Sequence, residues 1–199
     1  MTIWYLARAT GFVALLAFTA STVLGALTSS PKDRPTTQQL DRRFLTQMAH
    51  RSAAIIGLAM LATHAVLIII DSFVNVSFIG ALVPFTAGYR PLALAAGTIA
   101  VYAIAAVAIS GALRGRLAVS AAAARRWRYV HLSAYAGWGL AMAHGIFSGT
   151  DTGTWWSTAL YAVCGIAVGA ALCVRIGSET GHRARPLPTA RALTSRSAA

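Results

Sequence analysis

Charge is scarce in this chain. Only 11% of its 199 residues are Asp, Glu, Lys or Arg, against 57% that are hydrophobic, and this excludes an ordinary soluble globular domain, in which about a quarter of residues are charged. Acidic residues are the rarest class, 5 against 17 basic ones, for a net charge of +12. That excess does not describe a nucleic-acid-binding surface, because the arginines sit at the ends of apolar runs rather than across a folded basic face. Cysteine is almost missing. Cys164 and Cys173 lie nine residues apart on one apolar segment, on opposite sides of a helix, so they cannot pair with each other. No CxxC and no Cys/His spacing of the zinc type is present, and both cysteines read as small packing residues.

What the sequence has instead is long apolar runs. Uncharged, mainly apolar stretches cover Ala9 to Pro31, Ser52 to Ile70, Pro91 to Leu113, Tyr129 to Thr150 and Thr152 to Val174, each long enough to cross a hydrocarbon layer about 30 Å thick. They are apolar all round, unlike the one-sided helices of a soluble bundle. The expectation is an all-α membrane protein, a bundle of five transmembrane helices in the cell membrane. Basic residues alternate with them: Lys32, Arg34, Arg42 and Arg43 after the first run, Arg114, Arg116, Arg125, Arg126 and Arg128 after the third, and Arg175, Arg183, Arg185, Arg191 and Arg196 after the fifth. The positive-inside rule then puts the N-terminus outside and the C-terminus in the cytoplasm.

The first run reads as a span rather than a signal peptide, being long and opening with Trp4 and Tyr5, which suit an interfacial belt. Residues 30–45 read as a cytoplasmic loop, with the next helix starting near Thr46. The stretch Ser72 to Tyr89 is uncharged but contains Asn75, Pro84 and Gly88, and counting it as a span would destroy the charge alternation. It reads as an outer cap, aromatic through Phe73, Phe78, Phe85 and Tyr89. Gly165 and Gly169 on the last run would permit close helix packing. Residues 1–176 form the membrane domain and 177–199 a disordered cytoplasmic tail, in which His182 has no assigned role.

Four histidines interrupt the apolar pattern. His50 and His64 stand fourteen residues apart on the second run, His131 and His144 thirteen apart on the fourth. An offset of fourteen brings two imidazoles within about 40° of one another, about 21 Å apart along the helix axis. The second and fourth runs are parallel, so depth pairs His50 with His131 near the cytoplasmic side and His64 with His144 near the outside. A zinc or copper site would gather three or four ligands at one point. Two pairs at two depths instead suggest two bis-histidine haems, with no coordination position left open for a substrate and hence suited to electron transfer. Attachment would be non-covalent, as b haems, since CxxCH is absent. A spacing of thirteen turns the second ring by about 220°, which asks for local overwinding or a bulge near Gly137 and Gly139, or for differently angled cofactor planes. Gly57, midway between His50 and His64, either leaves room between stacked cofactors or serves helix packing.

The paired histidines at spacings of fourteen and thirteen, in that order, resemble the ferric reductase-like transmembrane domain, the family of NADPH oxidases, eukaryotic ferric reductases and the haem subunit of bacterial methionine sulfoxide reductase systems. The resemblance implies electron flow from a cytoplasmic reduced flavin through the inner haem to the outer haem and on to an external acceptor. It covers residues 1 to about 176. No flavin or nicotinamide domain follows in this chain, so a separate cytoplasmic flavoprotein or reductase would be the donor, the flavin carried by that partner. The histidine found one turn after the outer ligand in superoxide-producing oxidases is Ile68 here, which speaks against superoxide as the main product.

Buried propionates need cations. The candidates are Arg51, Arg125 and Arg128 for the inner haem and Arg8 and Arg90 for the outer. Arg8 also has a plain alternative, snorkelling to the headgroups. The basic loops carrying Arg42, Arg43, Arg114, Arg116, Arg125 and Arg126 suit docking of an acidic flavoprotein as well as setting topology. Two other function classes stay open: a quinol-linked cytochrome b, fed from within the bilayer, and a non-redox membrane scaffold or transporter with structural histidines. Donor, acceptor and oligomeric state are not legible.

Overall fold

A computed structural model describes residues 2–28, 36–72, 74 and 76–183. The order is α1 (Thr2–Leu27), α2 (Thr37–Ile70), α3 (Phe78–Leu82), α4 (Pro91–Ala112), α5 (Arg114–Leu117), α6 (Ala121–Ser148) and α7 (Trp155–Arg183), with no strand among the described residues. Four helices are long and apolar enough to cross a membrane: α1, α2, α4 and residues Trp155–Ser178 of α7. The chain is an all-helical membrane protein. The expected fifth span, α6, has the length, at 28 residues, but Arg125, Arg126, Arg128, His131 and His144 make it more polar than its neighbours.

α2 starts at Thr37, well before the expected Thr46. Thr36 is its N-cap, with the Thr36 side chain accepting from Gln39 N–H and the Gln39 side chain accepting from Thr36 N–H. This capping box satisfies two orphan donors and recruits a polar segment into helix without any apolar period. At the other end of the chain α7 runs on to Arg183, so the first residues of the expected tail are helical. The rest, 184–199, lies outside the described residues.

Two helix pairs make the body, α1 packed on α2 and α4 packed on α6, with α7 and α6 laid against α1. α2 and α6 make no extensive backbone contact with each other. The pairs share one design. On α1, Gly11, Phe18 and Gly25 recur at intervals of seven and oppose His64, Gly57 and His50 of α2; on α4, Gly97, Ile104 and Gly111 recur at the same interval and oppose His144, Gly137 and His131 of α6. Small faces large at every level. A Cβ on Gly57 would lie 2.8 Å from the Phe18 ring, and one on Gly137 would lie 3.3 Å from Ile104 Cγ1, so both glycines serve close helix packing. Phe18 and Ile104 meet in the core between the histidine levels with Ala14, flanked by Leu58, Met60, Leu61 and Trp138. Trp138 Nε1 donates to Thr19 Oγ1 at 2.9 Å and ties the two pairs together there.

The stretch after α2 does not span. It folds over one end of the bundle as turns and the short α3, held to α4 by Thr98 Oγ1, which donates to Ala81 O at 3.0 Å, and by Tyr102, whose hydroxyl donates to Leu82 O. Its inward residues are small or aliphatic: Val76 and Ala87 are buried, while Phe78 and Phe85 are exposed. Of the aromatics expected to form the cap, Tyr89 faces the interior and Phe73 lies outside the described residues. A Cβ on Gly165 or Gly169 would meet nothing within 4 Å among the described residues. Cys164 is buried and Cys173 exposed, the opposite faces the spacing requires.

Candidate functional site: two histidine pairs between α2 and α6

The histidines meet in the pairs that depth dictates. His50 and His131 have ring centroids 6.3 Å apart with planes at 69°, and His64 and His144 are also 6.3 Å apart, at 78°. Because both helices run the same way and 13 and 14 residues differ by only about 1.5 Å of rise, the two levels stay matched.

Each ring sits in a slot of the same construction on the neighbouring helix. His64 Nδ1 donates to Ala7 O at 2.7 Å, His144 Nδ1 to Ala93 O at 2.9 Å and His50 Nδ1 to Ser21 O at 2.8 Å. In every case the acceptor lies four residues before a glycine whose missing Cβ makes room for the ring. A Cβ on Gly11 would come 3.0 Å from His64, one on Gly25 3.1 Å from His50, and one on Gly97 2.6 Å from His144. The reason is helical geometry: Cβ tilts toward the helix N-terminus and would hang over the carbonyl one turn back, so only glycine leaves that oxygen open from the side. Ser21 adds its hydroxyl, 3.0 Å from His50 Nδ1 and donating to His50 O at 3.2 Å.

The fourth slot is looser. His131 Nδ1 is buried and faces the Val107 carbonyl without closing a well-formed hydrogen bond, and Gly111, where a Cβ would be 3.5 Å away, stands off the ring. His131 is held instead by Trp127, stacked at 4.9 Å and 18°. α6 is one continuous helix from Ala121 to Ser148, so of the alternatives raised for the thirteen-residue spacing a bulge near Gly137 and Gly139 is not the one used.

A carbonyl acceptor at Nδ1 fixes the tautomer and leaves Nε2 with its lone pair. The ring hydrogen bonds of His50, His64 and His144 run through Nδ1. With imidazole–metal bonds of about 2.0–2.1 Å, the two rings of each pair are near enough for one metal ion between them to be reached by both. Among the described residues no three His, Cys, Asp or Glu side chains converge on a point. The donor set fits a bis-imidazole haem at each level.

A cavity of about 210 Å3 opens at the His64–His144 level, lined by both histidines, Gly11, Gly97, Phe18, Ile104 and Ile68, and roofed by Val74, Val76 and Ala81. Its volume is far above the roughly 10–15 Å3 that one water needs, and its walls are mostly apolar with a few polar groups, as ligand sites are. Arg8 lines it and pairs with Asp151, which lines it too. Arg90, the other cation expected there, adopts a left-handed backbone conformation ahead of Pro91 and donates through Nη1 to Phe147 O at 2.6 Å. It joins the start of α4 to the end of α6.

At the His50–His131 level Arg51, Arg125 and Arg128 are exposed. The cations that approach His131 are others: Arg114, 4.9 Å over the Trp127 ring, and Arg175, whose Nη1 donates to Tyr135 Oη at 3.2 Å. The sequence had assigned Arg175 to topology and Arg114 to topology or partner docking, neither to the surroundings of His131. The glycine slots were missed as well, although Gly11/Gly25 and Gly97/Gly111 carry the same fourteen-residue spacing as His50/His64. Comparison of the chain with protein-family models, with curated proteins and with solved structures finds no match.

Proposed function

We propose that this chain is a transmembrane electron carrier of the ferric reductase-like kind, holding two b haems. His50 and His131 would bind one through Nε2, His64 and His144 the other. The reading is carried by one observation: imidazoles paired at two levels, each pair at ligand separation, with Nδ1 committed to a backbone carbonyl in three of the four. Such a carbonyl orients the ring and raises its basicity toward a metal. Bound there, a haem would supply a one-electron iron couple, held by the imidazoles of these four histidines.

The residues between the levels exclude water. Phe18, Ile104 and Trp138 pack together between the pairs, an apolar layer that suits passage of electrons rather than an aqueous path. Arg8 would meet carboxylates of the cofactor at the His64–His144 level, and Arg114 or Arg175 those at the other. The basic residues of α5 and of the start of α6 adjoin the His50–His131 end, which makes that end cytoplasmic by the positive-inside rule, with α6 as the fifth span and the N-terminus outside. Electrons would enter from a separate cytoplasmic flavoprotein and leave to an external acceptor.

A reduced-minus-oxidised spectrum with haem quantification on the purified protein tests this. The expected result is two low-spin b haems per chain, one of them lost in His50→Ala and the other in His64→Ala. A protein without a Soret band, or with a single haem unaffected by either substitution, contradicts it.

A further inference from the structure

Trp127 has no part in the scheme so far, yet it occupies the place where the fourth histidine slot is deficient. Three imidazoles are oriented by an Nδ1–H donated to a backbone carbonyl; His131 is not, and Gly111 leaves space on that side of its ring. Trp127 lies one turn before His131 on α6, near-parallel to it at 4.9 Å. It is itself fixed from two directions. Its Nε1 donates to Ser110 O of α4 at 2.8 Å, and the Arg114 guanidinium lies over the indole at 4.9 Å. An imidazole stacked on an aromatic ring loses that contact when it turns out of parallel, so the stack opposes rotation of the His131 ring.

We infer that Trp127 is a positioning residue, the aromatic clamp that sets the ring plane of His131 toward the metal in place of the carbonyl bond used by the other three histidines. The inference rests on the two-haem reading above. It has two consequences. The plane of His131 is set by packing, so it depends on the aromatic area beside it and not on the indole N–H. The imidazole of His131, lacking a full hydrogen bond at Nδ1, is also the weakest electron donor of the four.

The test compares wild-type protein with Trp127→Phe and Trp127→Leu in the full-length chain, read by haem content, by the low-spin ferric electron paramagnetic resonance of each haem, which reports the angle between axial imidazole planes, and by potentiometric titration. Trp127→Leu is expected to shift the resonance and potential of the His50–His131 haem and to weaken its retention roughly three- to tenfold, the scale of one aromatic stacking contact. The His64–His144 haem keeps its wild-type signals and serves as the folding control. Trp127→Phe, which keeps a stacking ring but loses the bond to Ser110, is expected to retain the wild-type resonance. If Leu leaves the His50–His131 haem unchanged, or if Phe and Leu shift it equally, the clamp is overturned while the two-haem reading stands. If wild-type protein binds no haem, both fall together.

Discussion

The two histidine levels are built to one plan and finished to different tolerances. At the His64–His144 level both imidazoles reach a carbonyl and press against a glycine, to the point where a Cβ on Gly97 would stand 2.6 Å from the ring. At the His50–His131 level the α2 side is equally close, through Ser21 and Gly25, but the α6 side relies on Trp127 and is open at Gly111. The difference traces to one residue. With thirteen positions between its histidines instead of fourteen, α6 presents its two rings about 100° out of step with those of α2, and an unbroken helix can satisfy one slot tightly only by leaving the other slack. A repeated motif therefore need not yield repeated energetics.

Substitution of the slot glycines should expose this contrast most strongly. Gly97→Ala drives a Cβ into His144, and the ring must leave its carbonyl, so we expect loss of haem from the His64–His144 level with the other haem kept, read by haem content and redox spectra. Gly11→Ala and Gly25→Ala place a Cβ at 3.0 and 3.1 Å from a ring, a contact that a small shift relieves. Each should weaken its own haem without abolishing it, measured as faster transfer of haem to an apoprotein acceptor. Ser21→Ala removes one hydroxyl from His50 but leaves the carbonyl, for a cost of about 0.5–1.5 kcal/mol and hence up to about tenfold in retention at that level alone. Gly111→Ala should have the smallest effect, since its Cβ would sit at an ordinary 3.5 Å; loss of haem in that variant would show that the His50–His131 level is as tight as its counterpart.

Much of this was legible in the sequence, and the limits were physical. The pairing of His50 with His131 and of His64 with His144 follows from helix rise and parallel direction alone, and the structure shows those pairs. The cap after α2 was readable from Asn75, Pro84 and Gly88, but its lining was not, because Val76 and Ala87 carry no signal that distinguishes an inward aliphatic residue from an outward one. The start of α2 was lost because a capping box is written in polar residues, Thr36 and Gln39, where an apolar period was sought. The carbonyl slots were hidden for another reason: each is shared between two helices, so Gly97 means little until His144 is known to lie against it. Arg51, Arg125 and Arg128 were chosen by nearness in sequence to a histidine, but Arg51 directly follows His50 and so points to another side of the helix, and all three side chains are exposed. Arg114, distant in sequence, is the cation that approaches His131 through Trp127.

The most direct measurement is electron transfer across sealed vesicles containing the purified, haem-loaded protein, with a flavin reductase and its reductant on the face bearing the His50–His131 level and an impermeant acceptor on the other. Wild-type protein should reduce the acceptor, and His64→Ala should stop that transfer while the haem at the His50–His131 level is still reduced. Acceptor reduction at the wild-type rate in His64→Ala vesicles would contradict a path that runs through both histidine pairs.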